Sequence, residues 1–140
     1  MSEIKTVLGF DFGLQHIGVA VAHTSPAMAQ PLTSLNASKE EPLWREIAAL
    51  LKLWSPDALV VGIPLNMDGT DQAITHFSRD FSKNLEQRFH LPVFFVDERL
   101  TTVEARSRLF ASGGYKALQK KAIDSVSAQL ILETWLDSCL

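Results

Sequence analysis

The hydrophobic pattern along this chain changes period several times, and each change marks an element. Thr6-Val7-Leu8-Gly9-Phe10 is a short apolar run ending at Asp11, the pattern of a buried, central strand. Gly13 permits a tight turn. Ile17-Gly18-Val19-Ala20-Val21-Ala22 then alternates branched with small residues, which predicts the second strand of a hairpin and a face on which another element packs close. A third strand is predicted within 29–35, at a sheet edge, because Pro31 has no N–H to give a ladder.

The period then lengthens. Leu43, Ile47, Leu50, Leu51 and Trp54 recur at helical spacing, and Ser38 followed by Glu41 is a capping-box pattern that starts this helix at Ser38. Ser55-Pro56 ends it. Ala58-Leu59-Val60-Val61-Gly62 reads as a buried strand stopped at Pro64, and Asn66-Met67-Asp68-Gly69 as loop. A second amphipathic helix carries Ile74, Phe77, Phe81 and Leu85. Pro92 precedes Val93-Phe94-Phe95-Val96, a fully apolar strand that stops at Asp97-Glu98-Arg99. Thr101 and Glu104 form another capping box, opening a helix toward Phe110 that Ser112-Gly113-Gly114 breaks. A last helix runs to about Leu136.

Three strands, helix, strand, helix, strand and two helices make an α/β chain. The βαβ crossovers imply parallel strands and the early strands an antiparallel meander, hence a mixed five-stranded sheet flanked by helices. No repeat or linker interrupts 1–140, which reads as a single domain.

Composition narrows the chemistry. Hydrophobic residues are 46% and charged residues 21%, enough apolar material for a core, and no run is long enough for a bilayer. The net charge of −3 gives no global attraction to nucleic acid, so a polyanion must be met by a local basic patch or by bound cations. The lone Cys139 forms no internal disulfide, and the first residues lack a signal-peptide pattern; a cytoplasmic protein is expected.

In open α/β sheets ligands gather beyond the carboxyl ends of the strands. That rule selects Asp11, Gly62-Ile63-Pro64 and Asp97-Glu98-Arg99. The last helix adds Asp124, which shares a face with Ala128, Ile131 and Trp135 and so points toward the sheet. Clustered carboxylates need a cation or a proton between them, and an oxygen-rich set suits Mg²⁺ or Mn²⁺. Each acid also has a plainer reading. Asp11 caps the turn, Asp97-Glu98-Arg99 is an exposed strand end with a local ion pair, and Asp124 is an N-cap if the helix begins at Ser125. Arg106 and Arg108 before Gly113-Gly114, and Lys116, Lys120 and Lys121 after it, form either a phosphate-binding rim or a solvated loop. The four histidines have no ligand spacing.

Four motifs then carry a resemblance. Asp11-Phe12-Gly13 with Ile17-Gly18-Val19-Ala20, Val61 to Gly69, Asp97-Glu98-Arg99-Leu100-Thr101-Thr102, and Asp124-Ser125 with Ala128 resemble, in order, the motifs of the YqgF family. Its names refer to Holliday junction resolution and to nuclease processing of pre-16S rRNA. The resemblance covers nearly the whole chain and implies an RNase H-like fold. It also implies a nuclease dependent on Mg²⁺ or Mn²⁺, with Asp11, Glu98 and Asp124 as catalytic and metal-binding acids. On this reading Arg99, Arg106, Lys116, Lys120 and Lys121 meet the nucleic acid. The implied partner is precursor rRNA, with branched DNA as the alternative, no membrane, and a monomer or weak homodimer. In two places the chain departs from the pattern. Leu14-Gln15-His16 stands where the family often has a basic residue, and Ser127 stands where related resolvases often place a second helix acid. The second departure keeps open a nucleic-acid-binding module with a weakened active site.

Overall fold

β1 (Thr6–Asp11), β2 (His16–Thr24) and β3 (Ala27–Asn36) form the meander that the alternation predicts. They are followed by α1 (Glu40–Trp54), β4 (Ala58–Ile63), α2 (Ala73–Phe89), β5 (Val93–Asp97), a 3-10 turn at Glu98–Leu100, and α3 (Lys120–Cys139). The structure, a computed structural model, describes residues 3–100 and 120–139, with side chains for 3–99 and 124–138. The capping box at Thr101 and Glu104, the helix toward Phe110 and the glycine break lie outside the described residues.

The five strands are ordered β3-β2-β1-β4-β5. β1 is central, antiparallel to β2 and parallel to β4, which runs parallel to β5. β3 lies at one edge, as Pro31 requires, and the β2–β3 register slips by one residue beside it, between Val19 and Ala20.

Alternation along the strands feeds two cores. On one face Leu8, Phe10, Val19, Val21, Leu59 and Val61 meet Leu43 and Ile47 of α1 and Phe81 and Leu85 of α2. On the other, Val7, Ala20, Ala22, Ala58 and Val60 meet Ala128, Ile131, Leu132 and Trp135 of α3. Each large buried side chain contributes about 1.5–3 kcal/mol. The second face is built from smaller residues, so α3 lies close to the sheet: a Cβ on Gly9 would stand 2.5 Å from Leu132 Cγ.

Three local expectations are corrected. Ser38 does not cap α1; its N–H and Oγ both donate to Asn36 Oδ1, at 2.8 and 2.6 Å. That short-range turn competes with the cap, so α1 starts at Glu40, with Glu40 and Glu41 placed to favour the helix dipole. Phe77 is not a core residue but 46% exposed; α2 turns Thr75, Ser78, Phe81, Ser82 and Leu85 inward instead. β5 is not buried on both faces. It is an edge strand in which only Val96 is buried, with Phe94 resting on Trp135 at 5.8 Å.

Candidate active site

Strand registers set one lateral row across the α3 face of the sheet. Ser34 pairs with Gly18, Gly18 with Asp11, Asp11 with Gly62, and Gly62 with Val96. Asp11 therefore stands in the middle strand with a glycine on each side, and each glycine makes room for another acid. A Cβ on Gly18 would collide with the backbone carbonyl of Asp124. One on Gly62 would lie 2.6 Å from Glu98 Cγ and 2.8 Å from its Cδ. The close approach of α3 on one side and of the 3-10 turn on the other thus depends on two missing side chains.

The three acids interact. The Glu98 carboxyl keeps its proton and donates it to the Asp11 carboxylate. Burial is the main reason that Glu98 is pushed up to about 11; the hydrogen bond to Asp11 and the charges of Asp11 and Asp97 add to it. Asp11 is also raised, first by burial and then by the charge of Asp124, with the Glu98 hydrogen bond opposing. Ser34 Oγ donates to Asp124 Oδ2 at 3.4 Å. Asp124 lies inside α3, after Lys120, so the N-cap reading does not hold. Ala128, Ile131 and Trp135 bury the same face of α3 that carries it, as the helical spacing predicts.

At Asp97-Glu98-Arg99 the functional and the plainer readings both apply, to different residues. Glu98 turns to Asp11, while Arg99 pairs locally with Asp97, its Nε donating to Asp97 Oδ2 at 2.7 Å and its N–H to Oδ1 at 3.0 Å. That guanidinium holds the Asp97 carboxyl below its ordinary value. Arg99 Nη1 also donates to Met67 O at 3.3 Å, tying the turn to the loop after β4.

Two cavities open on either side of Asp11 and Phe12. One, of about 440 Å³, is lined by Asn66, Met67, Gln72, Glu98 and Arg99. The other, of about 450 Å³, is lined by Leu14, Gln15, His16, Ile74 and Asp124. Of the basic residues expected to meet nucleic acid, Arg99 lines the first cavity. Lys120 and Lys121 fall in the first turn of α3, with side chains that are not described, and Arg106 and Lys116 lie outside the described residues. Ser127, one turn after Asp124, is buried at 2% exposure. Among the described residues no group of three or more His, Cys, Asp or Glu side chains is arranged as a metal cluster. The donors are nevertheless all carboxylate oxygens, the type that a hard cation prefers.

Ser34 escapes a reading of the sequence, since a serine in an edge strand carries no signature and only the β2–β3 register aligns it with the acids. Gly18 and Gly62 leave a fainter trace: both sit among branched residues, where glycine weakens a strand unless something approaches closely. Among the described residues no helix is long and apolar enough to cross a membrane.

Known proteins share this chain's sequence and fold. The profile of a family described as RuvX, Holliday junction resolvase, matches residues 5–138. A protein of Aeromonas salmonicida named "putative pre-16S rRNA nuclease" is 53% identical over 133 residues, 95% of each chain. One of the same name from Shewanella oneidensis is 53% identical over 134 residues, 96% of this chain and 95% of its own. Among solved structures, the Fowlpox virus resolvase with Holliday junction DNA superposes with a TM-score of 0.60 at 12% identity, covering 96% of this chain and 99% of that one. Thermus thermophilus RuvC in complex with a Holliday junction substrate superposes at 0.56 and 16% identity, covering 96% and 95%. The RNase H-like fold implied by the motifs is therefore the fold observed.

Proposed function

The chain belongs to the RuvX family of Holliday junction resolvases, and from that premise we propose a metal-dependent nuclease that processes the 5′ end of precursor 16S rRNA in the cytoplasm. The names of relatives at 53% identity support the substrate. The observation that carries the chemistry is the convergence of Asp11, Glu98 and Asp124, brought from a central strand, a strand end and a helix to one face of the sheet.

Asp11, Glu98 and Asp124 are the residues that would hold Mg²⁺ or Mn²⁺. Such an ion supplies an activated water and charge stabilisation for the leaving oxygen. The chain's own part begins with a proton: Glu98 must release the one it shares with Asp11 before both carboxylates are free to bind a cation. Burial works against that release, and the hydrogen bond to Asp11 and the charges of Asp11 and Asp97 work against it further. Ser34 Oγ donates to Asp124 Oδ2 and so helps to orient that carboxylate. Arg99, at the mouth of the Glu98 cavity, is positioned to meet a phosphate, although Asp97 already shares its charge. Arg106, Lys116, Lys120 and Lys121 are assigned to the same contact with nucleic acid on the strength of the resemblance alone. Acting on one strand requires no two-fold axis, so a monomer or weak homodimer suffices.

The test is cleavage of a precursor 16S rRNA fragment in Mg²⁺ or Mn²⁺. Asp11→Asn is expected to leave the circular dichroism spectrum and melting cooperativity intact and to lower the cleavage rate at least 10³-fold, a roughly 4 kcal/mol loss on the usual conversion. Wild-type cleavage by Asp11→Asn would refute the site. A second reading, a junction resolvase, is favoured by the family description itself. It requires a symmetric dimer on four-way DNA. Paired symmetric cuts in such a junction, with intact precursor RNA, would replace the first reading with the second.

A further inference from the structure

His16 begins β2 two residues before Gly18, so its side chain lies on the same sheet face as Gly18 and Asp11. With Asp11 and Asp124 it lines the cavity of about 450 Å³. Its Nδ1 is sealed from solvent without a hydrogen-bond partner. Among the described residues no hydrogen bond holds Nε2 of this half-buried ring. A sealed nitrogen with nothing to accept from it is better tolerated as a bare lone pair than as an N–H, which favours the tautomer with its proton on Nε2. That tautomer gives the ring a hydrogen-bond donor in the wall of the cavity that His16 lines. A buried polar atom without a partner costs about 1–3 kcal/mol, and such atoms in native structures call for an explanation.

The rest of the wall narrows what the donor is for. Leu14 and Ile74 are apolar, Gln15 is neutral, and the two acids are acceptors. A phosphate brought to the acids and the cation they would hold lies against this wall, where the neutral side-chain donors are the exposed Gln15 amide and the half-buried His16 ring. We propose that His16 is a substrate-binding residue whose Nε2–H donates to a non-bridging phosphate oxygen of the RNA strand, next to the bond that is cut. This rests on the nuclease reading of Asp11.

Binding is measured apart from cleavage, by fluorescence anisotropy of a single-stranded precursor 16S rRNA fragment on Asp11→Asn protein in Mg²⁺. Adding His16→Phe, which keeps a ring and loses the donor, is expected to weaken binding about tenfold, the size of one hydrogen bond to a charged group. Adding His16→Gln, which keeps an N–H at similar reach, is expected to restore it to within about threefold. In the His16 wild-type background, a strand with one neutral methylphosphonate linkage beside the cut is expected to bind about tenfold more weakly, and that penalty disappears in His16→Phe. Equal binding by the Phe and parent proteins, or an undiminished methylphosphonate penalty in His16→Phe, overturns the proposal. Absence of RNA binding by both the Asp11→Asn parent and the wild-type chain overturns the nuclease reading and this proposal with it. If His16→Phe does not fold, the methylphosphonate scan decides the matter: a uniform response along the strand overturns the proposal, and a single sensitive linkage beside the cut, unchanged in His16→Gln, supports it.

Discussion

A carboxylic acid buried beside a carboxylate has a definite consequence for stability. Both Asp11 and Glu98 have pKa values raised by folding, from the ordinary 3.8 and 4.5. The folded chain thus retains a proton that the unfolded chain releases. The associated stability is fully present below the ordinary carboxylate range and is lost as pH rises through the raised folded values. In the presence of a chelator, urea midpoints are expected to fall from acidic toward alkaline pH, and Glu98→Gln is expected to flatten that slope. Asp11→Asn removes a buried charge while keeping an oxygen that accepts from Glu98. It is expected to raise stability by about 1–2 kcal/mol at pH 8 under the same conditions, a functional site relieved of its strain. A drop in midpoint would contradict the shared proton.

Elements are spaced here by absent side chains. Gly18 faces the backbone of α3 at Asp124, which cannot move without the helix, whereas Gly9 faces the flexible end of Leu132. Gly18→Ala is expected to cost about 3 kcal/mol or more, and Gly9→Ala about 1–2 kcal/mol, by thermal or urea unfolding. Gly62→Ala presses on Glu98 Cγ and on Ile131. Its cleavage rate is expected to fall further than its stability, because it displaces an acid of the site; a loss confined to stability would argue against Glu98 acting there. The hydrophobic period revealed α1, α2 and the strands, since burial selects one face of each. It did not reveal that Ser38 would turn back to Asn36, because both local hydrogen-bond patterns suit the same residues.

At the scale of the whole molecule the two faces of the sheet divide the work. The α1–α2 face holds a core and no acid of the site; the α3 face holds the second core and carries Asp124. Truncation on either face is expected to cost about 2–5 kcal/mol. Ile47→Ala should leave cleavage per folded molecule unchanged, while Leu132→Ala, which loosens α3 on the sheet, should slow it as Asp124 moves. Equal effects of both on cleavage would mean that the site does not depend on how α3 is seated.

Among the described residues the order of elements, the mixed sheet, the edge position of β3 and the inward face of α3 were all legible from periodicity and turn chemistry, because each is a local consequence of burying apolar residues. The acids were legible as candidates for the same reason, since polar residues that end buried strands stand out. Glu98 and Asp124 were expected beside Asp11 from the strand-end rule, the helix face and the resemblance, but the contacts among the three were not legible. Glu98 and Asp124 lie 87 and 113 residues further along the chain. They meet Asp11 only because strand register places a glycine on each side of it and because α3 packs close. A proton shared between two carboxyls, and a histidine with a buried nitrogen that lacks a partner, follow from burial and three-dimensional neighbours, which no spacing along the chain encodes.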